Sequence, residues 1–392
     1  MTEMLSPKAI MDKLVSFPTI SRDTNLPLID WVEDYLASHG IKAHRYYHES
    51  GEKAALFAHV GPWVDGAVVL SGHTDVVPVE GQPWDSDPFE VIEKNGRYYG
   101  RGTCDMKGFD ALAIWALVAA NATELKRPLQ LALSFDEEIG CTGAPPMIQA
   151  MQPVLPKGSA VIVGEPSMMK AVTGHKGGQG FTLHVQGFEV HSSLLPTGVS
   201  AILEAAKILE WVNQSNTANQ NKAPDEIASM FYPPFTTLHV GNIKGGTARN
   251  ITAKDCWLDF EMRVVPGEDK QDWKDRLDAQ LRLIEADMQA IQPSTAIVSE
   301  PLFDVPGLRP EQDGPAETLV RAITGDNGQH VVSYGTEAGQ FQEAGYSAVV
   351  CGPGDIAQAH QPNEFIEISQ FEAGHGFMKQ LLEKLREDVP DV

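Results

Sequence analysis

The sequence predicts an α/β fold with a mixed, mainly parallel sheet and an α+β segment inserted into it. Three observations carry that expectation. In the first part of the chain, short continuous apolar runs stop at glycines and alternate with helical patterns, the mark of strands buried on both faces. From about residue 177 to 301 the strands instead alternate apolar and polar residues, which suits a small antiparallel sheet with one solvated face. From 302 the first style returns. The length of 392 residues also exceeds what one hydrophobic core usually organises. The expected organisation is a main domain from residues 1–176 and 302–392, with 177–301 as the insertion.

Residues 1–17 carry early acids and an amphipathic pattern, so they read as a helix and not as a signal peptide. Residues 67–71 form a short buried strand ending at Gly72. Residues 107–122 form a mostly apolar, buried helix, and its apolar run 111–120 is too short to span a bilayer. Strands follow at 129–135 and 160–163, the latter stopped by Gly164. The glycine-rich run 174–180 lacks phosphate-loop spacing and leads into a strand, so it reads as a hinge between domains. In the insertion, strands at 181–186, 237–243 and 256–263 alternate, with helices at 198–215 and 269–290. A helix at 314–324 and an apolar strand at 347–351 belong to the returning main domain.

A net charge of −23 repels phosphate backbones and anionic lipid, which argues against nucleic-acid and membrane partners. Cys104, Cys141, Cys256 and Cys351 lie far apart with no CxxC pair. They suggest neither a disulfide framework nor a thiolate zinc site, and fit reduced thiols in a cytoplasmic protein.

Acids and histidines collect at the ends of the predicted α/β strands. His73 and Asp75 follow the first strand, two residues apart and therefore on one side of an extended chain. Asp105 sits in a glycine-rich turn entering a helix, the run Asp136-Glu137-Glu138 follows the third strand, Glu165 the fourth, and His360 a late one. In open α/β sheets the ligand site lies at those carboxyl ends. Two histidines with several carboxylates and no thiolate form a donor set suited to zinc, with cobalt or manganese as substitutes. Each piece also has a plainer reading: a hydrogen-bonded turn for His73-Thr74-Asp75, solvated surface for Glu137 and Glu138, a helix N-cap for Asp105, an exposed loop for His360.

Five ordered segments resemble the M20 metallopeptidase family: residues 71–78, 99–108, 136–140, 164–166 and 359–364. The resemblance implies a two-metal hydrolase domain plus an inserted α+β lid/dimerisation domain. It implies that His73 and Glu165 hold one ion, that Glu138 and His360 hold the other, and that Asp105 bridges them. Asp75 would orient His73, and Glu137 would be the general base and acid for a metal-bridged hydroxide. Residues 188–193 resemble the lid motif whose histidine, here His191, reaches the other subunit's site in a homodimer. Residues 245–251 and 261–263 are similar to lid segments that bind a substrate carboxylate, pointing to Asn250 and Arg263. Plainer readings remain a surface histidine, an asparagine turn and a cross-strand ion pair.

Within the family, the run Gly335-Thr336-Glu337-Ala338 and residues 351–364 resemble the acetylornithine deacetylases. That implies a small-molecule N-acyl amino acid substrate and hydrolysis of N2-acetyl-L-ornithine. A desuccinylase or broader N-acyl-amino-acid deacylase is the alternative, and a catalytically dead metal-binding protein the non-enzymatic one. Glu337 is the candidate partner for a cationic substrate side chain, unless it only caps the following helix.

Overall fold

The computed structural model describes residues 3–387. The chain divides into two compact units. One runs to Gly174 and resumes with Pro310–His330 and from Thr336 onward; the other comprises His175–Arg309 and Val331–Gly335.

The first unit opens with α1 (Pro7–Val15) and α2 (Leu26–Ser38), then β1 (Ala43–Tyr47), β2 (Ala54–Val60) and β3 (Ala67–His73). A small hairpin, β4 (Ile92–Lys94) and β5 (Arg97–Tyr99), leads to the long helix α3 (Lys107–Asn121). There follow β6 (Leu129–Ser134), α4 (Ala144–Met151), β7 (Gly158–Pro166) and β8 (Val172–His175). The start of α1 is set by Ser6, whose hydroxyl accepts the Ala9 N–H at 3.2 Å, and by Pro7, whose fixed φ suits the first turn.

The second unit holds β9 (Gly177–Gln186), α5 (Ala201–Asn221), β10 (Thr237–Gly245), β11 (Asp255–Val264), α6 (Lys270–Ile291) and β12 (Ala296–Val305). Its four strands form one sheet in the order β10-β11-β9-β12, with antiparallel neighbours throughout. On β11 the alternation is literal: Cys256, Leu258, Phe260, Met262 and Val264 are buried, and the residues between them are not. Trp273, Leu277, Leu281 and Ile284 from α6 and Ile208 from α5 complete that core. The division between the units falls within the glycine run expected to be a hinge, between Gly174 and His175, and Gly177 to Gly180 of that run lie in β9, paired with Val264 to Glu261 of β11. The strand β12, which contains Pro301 and a register shift beside it, has no strand-like pattern in the sequence.

The chain then adds α7 (Pro315–Thr324), β13 (His330–Val332), α8 (Ala338–Glu343), β14 (Ala348–Gly352), β15 (Phe365–Glu367) and α9 (Ile368–Arg386). The large sheet has the order β1-β2-β6-β3-β7-β14-β8-β13. Its four central strands, β6, β3, β7 and β14, run parallel, and β1, β2 and β8 join antiparallel. The helix α3 is buried along nearly its whole length. Each fully buried Leu or Ile on it, such as Leu112, Ile114 and Leu117, contributes about 1.5–3 kcal/mol. The result is a rigid floor whose carboxyl edge presents the polar segments.

Among the described residues, no helix is long and apolar enough to cross a membrane. All four cysteines are buried and unpaired.

Candidate metal centre

His73 is the last residue of β3, and Glu165 lies near the end of the neighbouring β7. The turn after β6 carries Glu137 and Glu138, and the segment after β14 carries His360. Asp105 precedes α3, but its carboxylate does not cap that helix; the N-cap position is Met106, with no side-chain bond. Instead the two Asp105 oxygens face opposite ways. Oδ1 lies 3.1 Å from His73 Nε2, and Oδ2 lies 3.3 Å from His360 Nε2. Glu138 Oε2 is 3.0 Å from the same His360 nitrogen, and Glu165 Oε1 is 3.8 Å from His73 Nε2.

The surrounding residues fix this arrangement. His73 Nδ1 is 2.9 Å from the backbone carbonyl of Asp75, which favours the proton there and leaves Nε2 available to a cation. The carbonyl does most of the orienting expected of Asp75, since the carboxylate lies 3.5 Å away. That carboxylate is engaged elsewhere: it accepts from Ser21 Oγ at 2.7 Å and from the backbone N–H groups of Glu137 and Glu138 at 3.1 and 3.3 Å. It therefore pins the turn that carries both glutamates. Cys141 donates its thiol to Glu137 Oε1 at 3.0 Å.

Burial crowds like charges together here. The Glu137 carboxyl is pushed up to about 8 by burial, and the Glu138 carboxyl to about 7 by burial and by the charge of Asp105. Burial and then the Asp105 and Glu137 charges push Glu165 well above the carboxylate range. Burial pulls His73 down, but its bonds to Asp105 and Asp75 outweigh that and hold it well above an ordinary histidine. Bonds to Asp105 and Glu138 raise His360 to about 10.

The residues present fit divalent cations. Their donors are nitrogen and oxygen atoms in an excess of acid. Glu138 Oε1 is buried without any hydrogen-bond partner. Two triplets of ligand atoms lie within 4.8 Å of one another: His73 with Asp105 and Glu138, and His73 with Glu137 and Glu165.

Glu337 is at the N-cap position of α8 yet makes no capping bond. It is 1% exposed and accepts from Ser134 and, at 3.3 Å, from Ser71, so its carboxylate ties β6 to β3. In the second unit, His191 is exposed and precedes a 3-10 turn at Ser192–Thr197, with Nδ1 2.8 Å from Ser193 Oγ. The Asn250 carbonyl accepts the Ser192 N–H at 2.9 Å, which brings these two loops together. Arg263 on β11 pairs with Glu261 of the same strand at 3.0 Å and lies over Phe303, with no cross-strand ion pair among the described residues.

The sequence reading missed Cys141, Ser21 and the buried pair Arg101–Glu364, linked at 2.7 Å. The only signal for the last was an acid closing the run Pro362-Asn363-Glu364.

The chain belongs to peptidase family M20/M25/M40, whose model matches residues 69–384, and it is a metal-dependent amidohydrolase. Its similar relatives include the acetylornithine deacetylase of Myxococcus xanthus, 36% identical over 92% of this chain and 92% of that one. That of Proteus mirabilis is 32% identical over 95% and 94%. Among solved structures, a metallo-carboxypeptidase of the M20 family from Sulfolobus solfataricus superposes with a TM-score of 0.76 over 98% of this chain and 99% of that one, at 18% identity. A dinuclear metal-binding peptidase of the same family from Bacillus subtilis gives 0.63 over 98% of each, at 14%.

Proposed function

We propose that this protein hydrolyses N2-acetyl-L-ornithine to L-ornithine and acetate, a step of arginine biosynthesis, with zinc as the natural metal. The observation that carries the two-metal chemistry is the two-sided placement of Asp105, one oxygen toward His73 and the other toward His360. The substrate is supported by the relatives bearing that activity in their names over more than nine-tenths of the chain. His73 and Glu165 would hold one ion, Glu138 and His360 the other, and Asp105 both. When bound, such a pair lowers the pKa of water toward neutrality and polarises the acyl oxygen.

Glu137 is the base. The Cys141 thiol holds its Oε1, which leaves Oε2 to take a proton and later return it to the leaving amine. Burial raises its basicity, which suits both duties. His191 would donate to the developing oxyanion of a partner subunit's site in a homodimer. Large exposed apolar side chains on the second unit, among them Leu194, Leu203 and Ile243, support such an interface. Arg263 and Asn250 would receive the substrate α-carboxylate, Arg263 through a planar guanidinium. Glu337 would act on the cationic side chain only through space, because its oxygens are taken by Ser71 and Ser134.

The test is a comparison of kcat/KM for acetylornithine, acetylmethionine and succinyl-diaminopimelate, with and without chelator. Acetylornithine should lead, and chelation should abolish turnover. A preference for the succinyl substrate would overturn the substrate assignment, and chelator-insensitive hydrolysis would overturn the metal mechanism. Mixing His191→Ala with Glu137→Gln subunits should restore part of the activity. No recovery despite demonstrated subunit exchange would remove the trans role of His191.

A further inference from the structure

The turn that presents Asp105 is held by one side chain 259 residues further along the chain. Glu364 Oε1 accepts three backbone N–H groups: those of Gly102 and Cys104 at 3.0 Å each, and that of Asp105 itself at 3.1 Å. Its Oε2 accepts from Arg101 Nη1 at 2.7 Å, and its backbone carbonyl accepts the Gly100 N–H at 2.9 Å. Both side chains are buried, Arg101 at 0% and Glu364 at 1% exposure. The other end of the guanidinium donates to Gln82 Oε1 at 2.6 Å, and Gln82 in turn donates to the His360 carbonyl at 3.1 Å.

We propose that Glu364 is a positioning residue that sets the bridging attitude of Asp105, and that it ties this attitude to the docking of the segment bearing His360. The inference rests on the reading of Asp105 as the shared ligand.

The reason lies in the backbone. Converging N–H groups form a concavity that requires an anion, and a buried donor left without an acceptor is costly. Supplying that anion fixes the peptide of Asp105, and with it the direction of the side chain whose two oxygens face two imidazoles. Glu364 also follows His360 by four residues on the same segment. One carboxylate therefore registers two ligands that are far apart in sequence. Arg101 partly offsets the upward pull of burial on the Glu364 carboxyl and holds it to the same turn. An amide at position 364 would turn its NH₂ toward either Arg101 or the three N–H groups, so one contact becomes donor against donor. An aspartate keeps the charge but falls short of the turn by one methylene.

The ion that depends on both Asp105 and His360 should suffer most. The ion held by His73 and Glu165 should suffer least.

The experiment titrates the metal-free protein with Co²⁺ by calorimetry and follows the visible cobalt absorption, for wild type, Glu364→Gln, Glu364→Asp and Asp105→Ala. Wild type should bind two ions. The Glu364 variants, folded by circular dichroism, should keep one site near wild-type affinity and lose about 10–100-fold at the second, with an altered cobalt spectrum. Two unchanged sites and an unchanged spectrum in either folded variant would overturn the positioning role while leaving the Asp105 reading intact. Two tight ions in Asp105→Ala would instead overturn that reading. Hydrogen exchange on the wild-type metal-free protein needs no variant to fold. The amides of Gly102, Cys104 and Asp105 should be strongly protected, and rapid exchange at all three would overturn the clamp.

Discussion

Replacing Gly164 by alanine tests how the floor of the centre is built. Gly164 precedes Glu165 on β7, and a Cβ there would sit 2.0 Å from Cγ of the Phe109 ring and 2.1 and 2.3 Å from its two Cδ atoms. Carbon atoms prefer about 3.5–4.0 Å, so ring and strand must separate by roughly 1.5 Å. The obstacle is the body of an aromatic ring that is 2% exposed and wedged at the start of α3, so it cannot swing aside. Overpacking of this kind costs about 1–3 kcal/mol, and the upper end is expected here. At about 2–4 °C per kcal/mol for a domain of this size, the melting temperature should fall by roughly 6–12 °C. Displacing Glu165 by a fraction of that separation should also reduce turnover, on the order of 10²-fold for a 1 Å misplacement. The decisive assay is a double-mutant cycle with Phe109→Ala. That change alone should cost about 3–5 kcal/mol by leaving a cavity. In its background the new methyl enters the vacated space, so Gly164→Ala should cost close to nothing. Equal cost in both backgrounds, within about 0.5 kcal/mol, would refute the steric argument.

Glu137→Gln should bind metal as the wild type does while losing at least roughly 10²-fold in kcat; near-normal turnover would remove the proton-transfer role. Cys141→Ala should lower kcat with KM and metal content unchanged, and Cys141→Ser should restore most of it, because a hydroxyl can still donate to Glu137 Oε1. An alanine variant with wild-type kcat would make that thiol incidental. The pH dependence of metal binding has a definite sign. In the metal-free protein His360, raised from 6.5 to about 10, contributes stability that is complete below 6.5 and lost as pH rises through 10. Glu138, raised from 4.5 to about 7 by burial, likewise favours the metal-free fold less as pH rises through that interval. Metal must displace those protons, so the rise in melting temperature on adding metal should grow from roughly pH 6 to 8. A metal-induced shift that shrinks over that range would contradict these assignments.

The candidate ligands His73, Glu138 and Glu165 were legible because each lies at or just past the carboxyl end of a buried apolar strand, whereas Asp105 was marked by a glycine-rich turn. His73 closes β3, Glu165 closes β7, and Glu138 follows β6. The supporting contacts were not legible, because they depend on backbone groups that carry no residue type. The Asp75 carboxylate holds the N–H groups of Glu137 and Glu138, and Glu364 holds those of three residues around Asp105. Glu337 illustrates the same limit. A glutamate before a helix suggests a cap or a binding group, and only the sheet reveals two buried serines on β3 and β6 as its partners. The insertion was recognisable from period-two alternation on β11. The strand β12 was hidden by Pro301, and the strand character of Gly177 to Gly180 by glycines that have no side chains to alternate.

The position of β14 has a consequence for biosynthesis. It pairs in parallel with β7 in the interior of the large sheet, yet it is synthesised only after every residue from 167 to 347. At about 5–20 residues per second, the apolar edge of β7 stays without its partner for on the order of ten seconds or more. A nascent or truncated chain lacking residues 348–352 therefore carries an open, aggregation-prone strand edge. Slowed translation over the insertion should lower soluble yield, and an added peptide spanning β14 should capture such fragments.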